Sequence, residues 1–251
     1  MFKNGLKLWS INKNYIKNAI KIYENRIFDY IELFTVPDSY SYLKYWQNLN
    51  IPFVIHGPHF GNGLNFSKKE LFDSNIKMAK DTIRWADSLH SNYIIFHPGV
   101  DGDIYETIRE INFLNDKRIL IENKPYLGKG NDLRCIGNSV EEIKLILTEC
   151  NIGFCFDIGH SICASNFYKI NPIENIKNFI KLNPVIYHFT DGYYDSVYDE
   201  HLHFGEGNYP LKEIINLIPN NSMVTNEAKK RYKNSLSDFI KDMNYIKKFL
   251  N

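Results

Sequence analysis

Short apolar runs that end in a potential metal-binding side chain recur along this sequence, and that repetition restricts the fold more than any other feature. His56 follows PFVI, His97 follows YIIF, Glu122 follows ILI, and Asp157 and His160 stand in CFDIGH. His188 follows VIY, Asp199 and His201 fall in DEH, and Glu227 follows MVTN. A buried strand that ends in a ligand, repeated this often, is how a parallel barrel gathers a metal site at one rim. An open doubly wound sheet would concentrate its ligands at one switch point instead.

Eight runs read as strands: Leu6–Ser10, Tyr30–Phe34, Pro52–His56, Tyr93–His97, Ile119–Asn123, Gly153–Ile158, Val185–Thr190 and Ser222–Glu227. Most lack polar alternation, as strands covered on both faces do. Between them lie helical patterns. Tyr15, Ile16, Ala19, Ile20 and Tyr23 form one stripe, and Leu71 to Ala86 marks the longest helix. Ser139-Val-Glu-Glu142 reads as a capping box and Asn171-Pro172 as a helix start. A last amphipathic stretch, Leu236 to Leu250, would cover the outside of the ring. The alternation predicts an α/β protein, one (β/α)8 barrel over residues 1–251 with its metal site at the C-terminal rim of the strands.

Composition narrows the function classes. Thirty Lys and Arg balance 29 Asp and Glu, so there is no overall basic footprint for nucleic acid. Cys135, Cys150, Cys155 and Cys163 form no CxxC pair and read as reduced thiols of a cytoplasmic protein. No stretch approaches the ~18 apolar residues of a membrane span, and the first ten residues lack a long apolar core.

At the rim, Asp157-Ile-Gly-His160 turns two ligands toward one mouth, and Asp199 and His201, two apart, share one side of an extended segment. Mixed imidazole and carboxylate donors suit zinc or manganese, and iron or cobalt as well. Five imidazoles and four carboxylates buried together call for a divalent cation. His59, Lys124, Asp191 and His203 are expected to contact substrate. Lys124, Arg134 and Lys229 are candidates to meet a phosphate, and Tyr193, Tyr194, Tyr198 and Phe204 to stack on a ring. His90 reads as a surface helix cap, and Asp101-Gly-Asp103 as a helix start.

From His56 to Glu227 these motifs resemble the xylose-isomerase-like TIM-barrel superfamily, which joins endonuclease IV, of AP endonuclease family 2, to sugar isomerases and epimerases. The resemblance implies a mononuclear site at Glu122, Asp157, His188 and Glu227. Its endonuclease IV branch implies further ligands at His56, His97, His160, Asp199 and His201, enough for three zinc ions. The wording D-I-G-H, H-G-P and G-E-G is closer to the isomerase and epimerase branch, and the loops that wedge into duplex DNA are not identifiable.

Two activities are therefore expected in order. The first is a divalent-metal-dependent sugar or sugar-phosphate isomerase or epimerase, with Glu122 and Glu227 as acid and base and His160 orienting a hydroxyl. The alternative is trinuclear phosphoester hydrolysis on abasic DNA or another phosphoester. The expected partner is a small carbohydrate, with nucleic acid under the alternative and no membrane.

Overall fold

The computed structural model describes residues 2–128 and 132–249. In chain order the strands are β1 (Lys3–Trp9), β2 (Tyr30–Phe34), β3 (Phe53–His56), β4 (Ile94–Phe96), β5 (Ile119–Glu122), β6 (Leu127–Gly128), β7 (Leu133–Arg134), β8 (Gly153–Asp157), β9 (Ile186–His188) and β10 (Met223–Asn226). β6 and β7 pair antiparallel beside the rim. The other eight strands form a closed parallel ring in the order β1-β10-β9-β8-β5-β4-β3-β2. The ring closes where Lys3 to Leu6 pair with Met223 to Asn226. All eight strands expected from the sequence are present, with ends differing by up to three residues.

The helices are α1 (Ile16–Glu24), α2 (Leu43–Trp46), α3 (Phe72–Ser88), α4 (Ile104–Leu114), α5 (Val140–Cys150), α6 (Ile158–Tyr168), α7 (Pro172–Ile180), α8 (Leu211–Leu217) and α9 (Ser237–Lys247). Leu250, the expected end of the last helix, lies outside the described residues. The helix starts follow local chemistry. Ser139 Oγ accepts the Glu142 amide at 3.2 Å, and Asn171 Oδ1 accepts the Glu174 amide at 3.1 Å ahead of Pro172. Asp103 caps α4 through the Tyr105 amide, as expected. Two details differ from the sequence reading. Glu142 reaches back to the amides of Gly137 and Asn138, not to that of Ser139. On α1 the buried face is Tyr15, Ala19 and Ile22, while Ile20 faces solvent, because the helical period carries it off the stripe.

Alternation along each strand separates two cores. Ile31, Leu33, Ile55, Phe96, Ile121, Phe154 and Phe156 point outward under the helices. Tyr30, Val54, Ile95, Leu120, Cys155 and Ile186 fill the inside of the ring. Gly5 leaves room for this plug, since a Cβ there would lie 2.5 Å from the Tyr30 ring. With a period of two, the next inward position on each of those six strands is two residues on. Those positions are Glu32, His56, His97, Glu122, Asp157 and His188. The barrel is thus plugged by apolar side chains and floored by polar ones. The four cysteines are buried and unpaired.

Candidate metal centre

His188 stands at the middle of the polar floor. Its Nε2 lies 2.9 Å from Glu32 Oε2, which in turn accepts the Thr225 hydroxyl at 2.7 Å. As a metal ligand the ring would keep its proton on Nε2 and present Nδ1 as a lone pair. That nitrogen is 2.9 Å from Glu227 Oε1, 3.4 Å from Glu122 Oε2 and 3.9 Å from Asp157 Oδ2. It is buried and has no hydrogen-bond partner. A buried nitrogen among three carboxylates is a place for a proton or a metal cation, and against burial Cys155, Glu227, Glu32 and Glu122 raise His188 well above its ordinary value.

Two further groups flank this one. His56 Nε2 and His97 Nε2 lie 3.1 and 3.2 Å from Glu122 Oε2. His56 is oriented by its own Nδ1, 2.8 Å from the Gly57 carbonyl. On the other side, ligand atoms of Asp157, His160 and His201 fall within 4.8 Å of one another. His160 Nδ1 faces the Asn123 carbonyl at 2.9 Å, which frees Nε2 toward Asp199, 3.6 Å away. His201 bridges Asp199 Oδ2 at 2.7 Å and Glu227 Oε2 at 3.0 Å. All nine residues expected as ligands converge on one rim.

Five carboxylates (Glu32, Glu122, Asp157, Asp199 and Glu227) gather here with two ammonium groups, Lys7 and Lys124, and with two imidazoles that the carboxylates raise, His188 and His201. Burial opposes every one of these charges. Against that opposition His188 and Lys7 hold Glu32 at about 2, and His188 and Lys7 hold Glu227 well below the carboxylate range. Burial would lower His201, yet Asp199 and Glu227 push it up to about 10. Burial wins at His59, which with Lys124 nearby falls to about 4, and at His97, which lies well below its ordinary value. The donor set fits a divalent cation: imidazole and carboxylate atoms, pre-oriented and gathered at one rim.

Above the floor lies a cavity of about 710 Å³. Trp9, Tyr15, Phe34 and Phe60 give it aromatic walls, and Lys7, Lys124, Lys229 and Lys230 line it with positive charge. Burial lowers Lys230 to about 8. A separate cavity of about 470 Å³ at the opposite end, bordered by Gln47, His90 and Met223, touches none of these ligands.

Among the expected substrate contacts, His59 and Lys124 line the cavity. Asp191 and His203 do not. Asp191 spends both oxygens on the amides of Gly192, Gly205, Gly207 and Tyr209, at 2.8 to 3.2 Å, and so ties a loop together. His203 Nδ1 is 2.7 Å from Asp242 of α9, which fixes that loop to the outer layer. Arg134 is engaged by Glu142, whereas Lys229 does face the cavity. Phe204 packs on Phe189 at 5.0 Å, and the Tyr198 hydroxyl donates to Asp132. Tyr193 is exposed, and none of the four aromatics proposed for stacking lines the cavity.

Lys7 and Glu32 escaped the sequence reading. Both are charges in the middle of an apolar strand, and that pattern is itself a signal of an inward functional position. No helix among the described residues is long and apolar enough to cross a membrane.

Comparison with known proteins agrees with this fold. A probable endonuclease 4 of Halothermothrix orenii is 26% identical over 190 residues, 66% of either chain. The matched region spans less than two thirds of such relatives, 47% for the one from Carboxydothermus hydrogenoformans. A D-tagatose 3-epimerase-like protein superposes with a TM-score of 0.74 at 20% identity, covering 99% of this chain and 97% of the other. Endonuclease IV from Thermus thermophilus follows at 0.70 and 15%, covering 99% and 98%. Likeness at these identities establishes the fold. The family model for the xylose isomerase-like TIM barrel matches residues 28–249, and the chain belongs to that family.

Proposed function

We propose that this protein is a divalent-metal-dependent isomerase or epimerase of a sugar or sugar phosphate. The observation that carries the reading is the placement of Glu122 and Glu227. Their carboxylates approach one nitrogen of His188 from two different strands, at the floor of a chamber walled by aromatic rings. Zinc or manganese, held by Glu122, Asp157, His188 and Glu227, would supply Lewis-acid polarisation of a carbonyl.

The residues of the chain do the rest. Two buried carboxylates on one chamber provide a base to take a carbon-bound proton and an acid to return one. His160 and His59 would orient hydroxyls. Trp9 and Phe34 give an apolar face for a sugar ring. Lys229 and Lys230 supply positive charge toward an anionic end of the substrate.

Solvent exchange tests the reading. Protein loaded with manganese or zinc is incubated with ketohexoses and pentose phosphates in deuterium oxide, and the substrate is followed by NMR. Deuterium appearing at one carbon next to a carbonyl, and its loss in Glu227→Gln, is the expected result. No exchange with any sugar, together with cleavage of an abasic duplex, would replace it with phosphoester hydrolysis. The two outer groups, His56–His97–Glu122 and Asp157–His160–His201, favour that second reading.

A further inference from the structure

Lys124 sits two residues beyond Glu122, with its backbone amide held by the Gly137 carbonyl at 2.9 Å. Its side chain is one-tenth exposed and its ammonium points into the metal centre. Nζ lies 3.2 Å from Glu122 Oε1, 3.3 Å from His160 Nε2 and 3.4 Å from His97 Nε2. An ammonium has three N–H donors and no acceptor, and here a carboxylate oxygen and two imidazole nitrogens surround it. The His160 nitrogen is the one left free by the Asn123 carbonyl, so it is that ring's only ligand atom.

The two imidazoles belong to different outer groups, His97 to one and His160 to the other. One ammonium thus engages a ligand atom of both. The inner group is touched only at carboxylates, Glu122 by Lys124 and Glu227 by Lys7, and its imidazole nitrogen, His188 Nδ1, has no hydrogen-bond partner. A divalent ion in either outer group would displace Lys124 from a lone pair and stand close to its charge, and like charges at such range repel strongly in a buried site.

We propose that Lys124 is a tethered cation that takes the place of the outer ions and restricts this centre to one divalent metal, in the group Glu122–Asp157–His188–Glu227. Nine converging side chains then do not imply three ions. His56, His97, His160, Asp199 and His201 engage the ammonium, the inner carboxylates and one another. The inference rests on the metal-centre reading but not on the reaction assigned to it.

Metal content tests it. Wild-type protein, Lys124→Thr, Lys124→Gln and Lys124→Arg are stripped with chelator, dialysed against zinc and then against metal-free buffer, and counted by plasma mass spectrometry. Thermal melts identify the variants that fold. One ion per wild-type and Lys124→Arg chain, and two or three per Lys124→Thr or Lys124→Gln chain, is expected. A wild-type count other than one overturns the proposal, and so does an unchanged count in the neutral variants. The wild-type count decides even where no variant folds. Loss of sugar exchange with these counts intact would overturn the reaction and leave the tethered cation standing.

Discussion

His188 presents Nε2 to Glu32 Oε2 at 2.9 Å and thereby turns Nδ1 toward Glu122, Asp157 and Glu227. The carboxylate orients the ring plane, and in the proposed metal centre it would hold the Nε2 proton and leave Nδ1 for the ion. Removing such a partner commonly costs ~10–100-fold in metal affinity. Glu32→Gln keeps an acceptor for the imidazole but loses the charge, so about a tenfold loss is expected, and Glu32→Ala should approach a hundredfold. Calorimetric titration of stripped protein with zinc measures it. Equal affinity in all three proteins would show that Glu32 serves only the fold.

Whether a side chain belonged to the centre was legible where it ended a strand and hidden elsewhere. His56, Glu122, Asp157 and His188 close their strands, where an apolar run stops and the polar residue stands out. Glu32 is the third of five residues in YIELF, and Lys7 lies between two leucines, so neither marks an end. Their direction follows only from the register of the closed ring. Asp191 misled for the opposite reason. It follows a strand end like a ligand, but the backbone amides it holds come from residues up to 18 positions later, and no local pattern announces that return.

Asp191 should therefore act on stability. Asp191→Ala leaves four loop amides without their acceptor, and a buried donor left unpaired costs about 1–3 kcal/mol. For a chain of this length each kcal/mol lowers Tm by about 2–4 °C. A fall of at least ~4 °C is expected by differential scanning calorimetry. Metal affinity should fall with it, because Asp199 and His201 are in the same loop. A Tm within one degree of wild type would contradict the role.

A pH effect is expected far from the metal. Glu110 on α4 is buried, accepts a hydrogen bond from Asn75 Nδ2 at 3.0 Å, and is pushed up to about 8 by burial, with Glu106 adding to it. Between its ordinary value of 4.5 and about 8 the folded state holds a proton that the unfolded chain has lost. Stability contributed by this group therefore falls as pH rises through that window. Glu110→Gln imitates the protonated form, since its amide can still accept from Asn75. The variant should melt higher than wild type at pH 9 and no higher at pH 5. Parallel Tm profiles across this range would refute the assignment.

Chelation should destabilise the whole barrel. An ion present at 100 times its dissociation constant adds about 2.7 kcal/mol to the folded state. A Tm fall of roughly 5–10 °C on treatment with chelator, reversed by zinc or manganese, is expected from calorimetry. No change on stripping and reloading would argue against a resident ion.

The ring closes between β1 and β10, the first and last strands of the chain. Lys7 and Glu227, which touch across that seam, are 220 residues apart in sequence. Contacts of such separation are the slow ones in folding. An ion that needs Glu227 together with Glu122 and His188 cannot be fully coordinated by a chain still short of its last strand. For the proposed centre, metal uptake would then follow the arrival of the last strand, and the rate of zinc capture during refolding would time the closing of the seam.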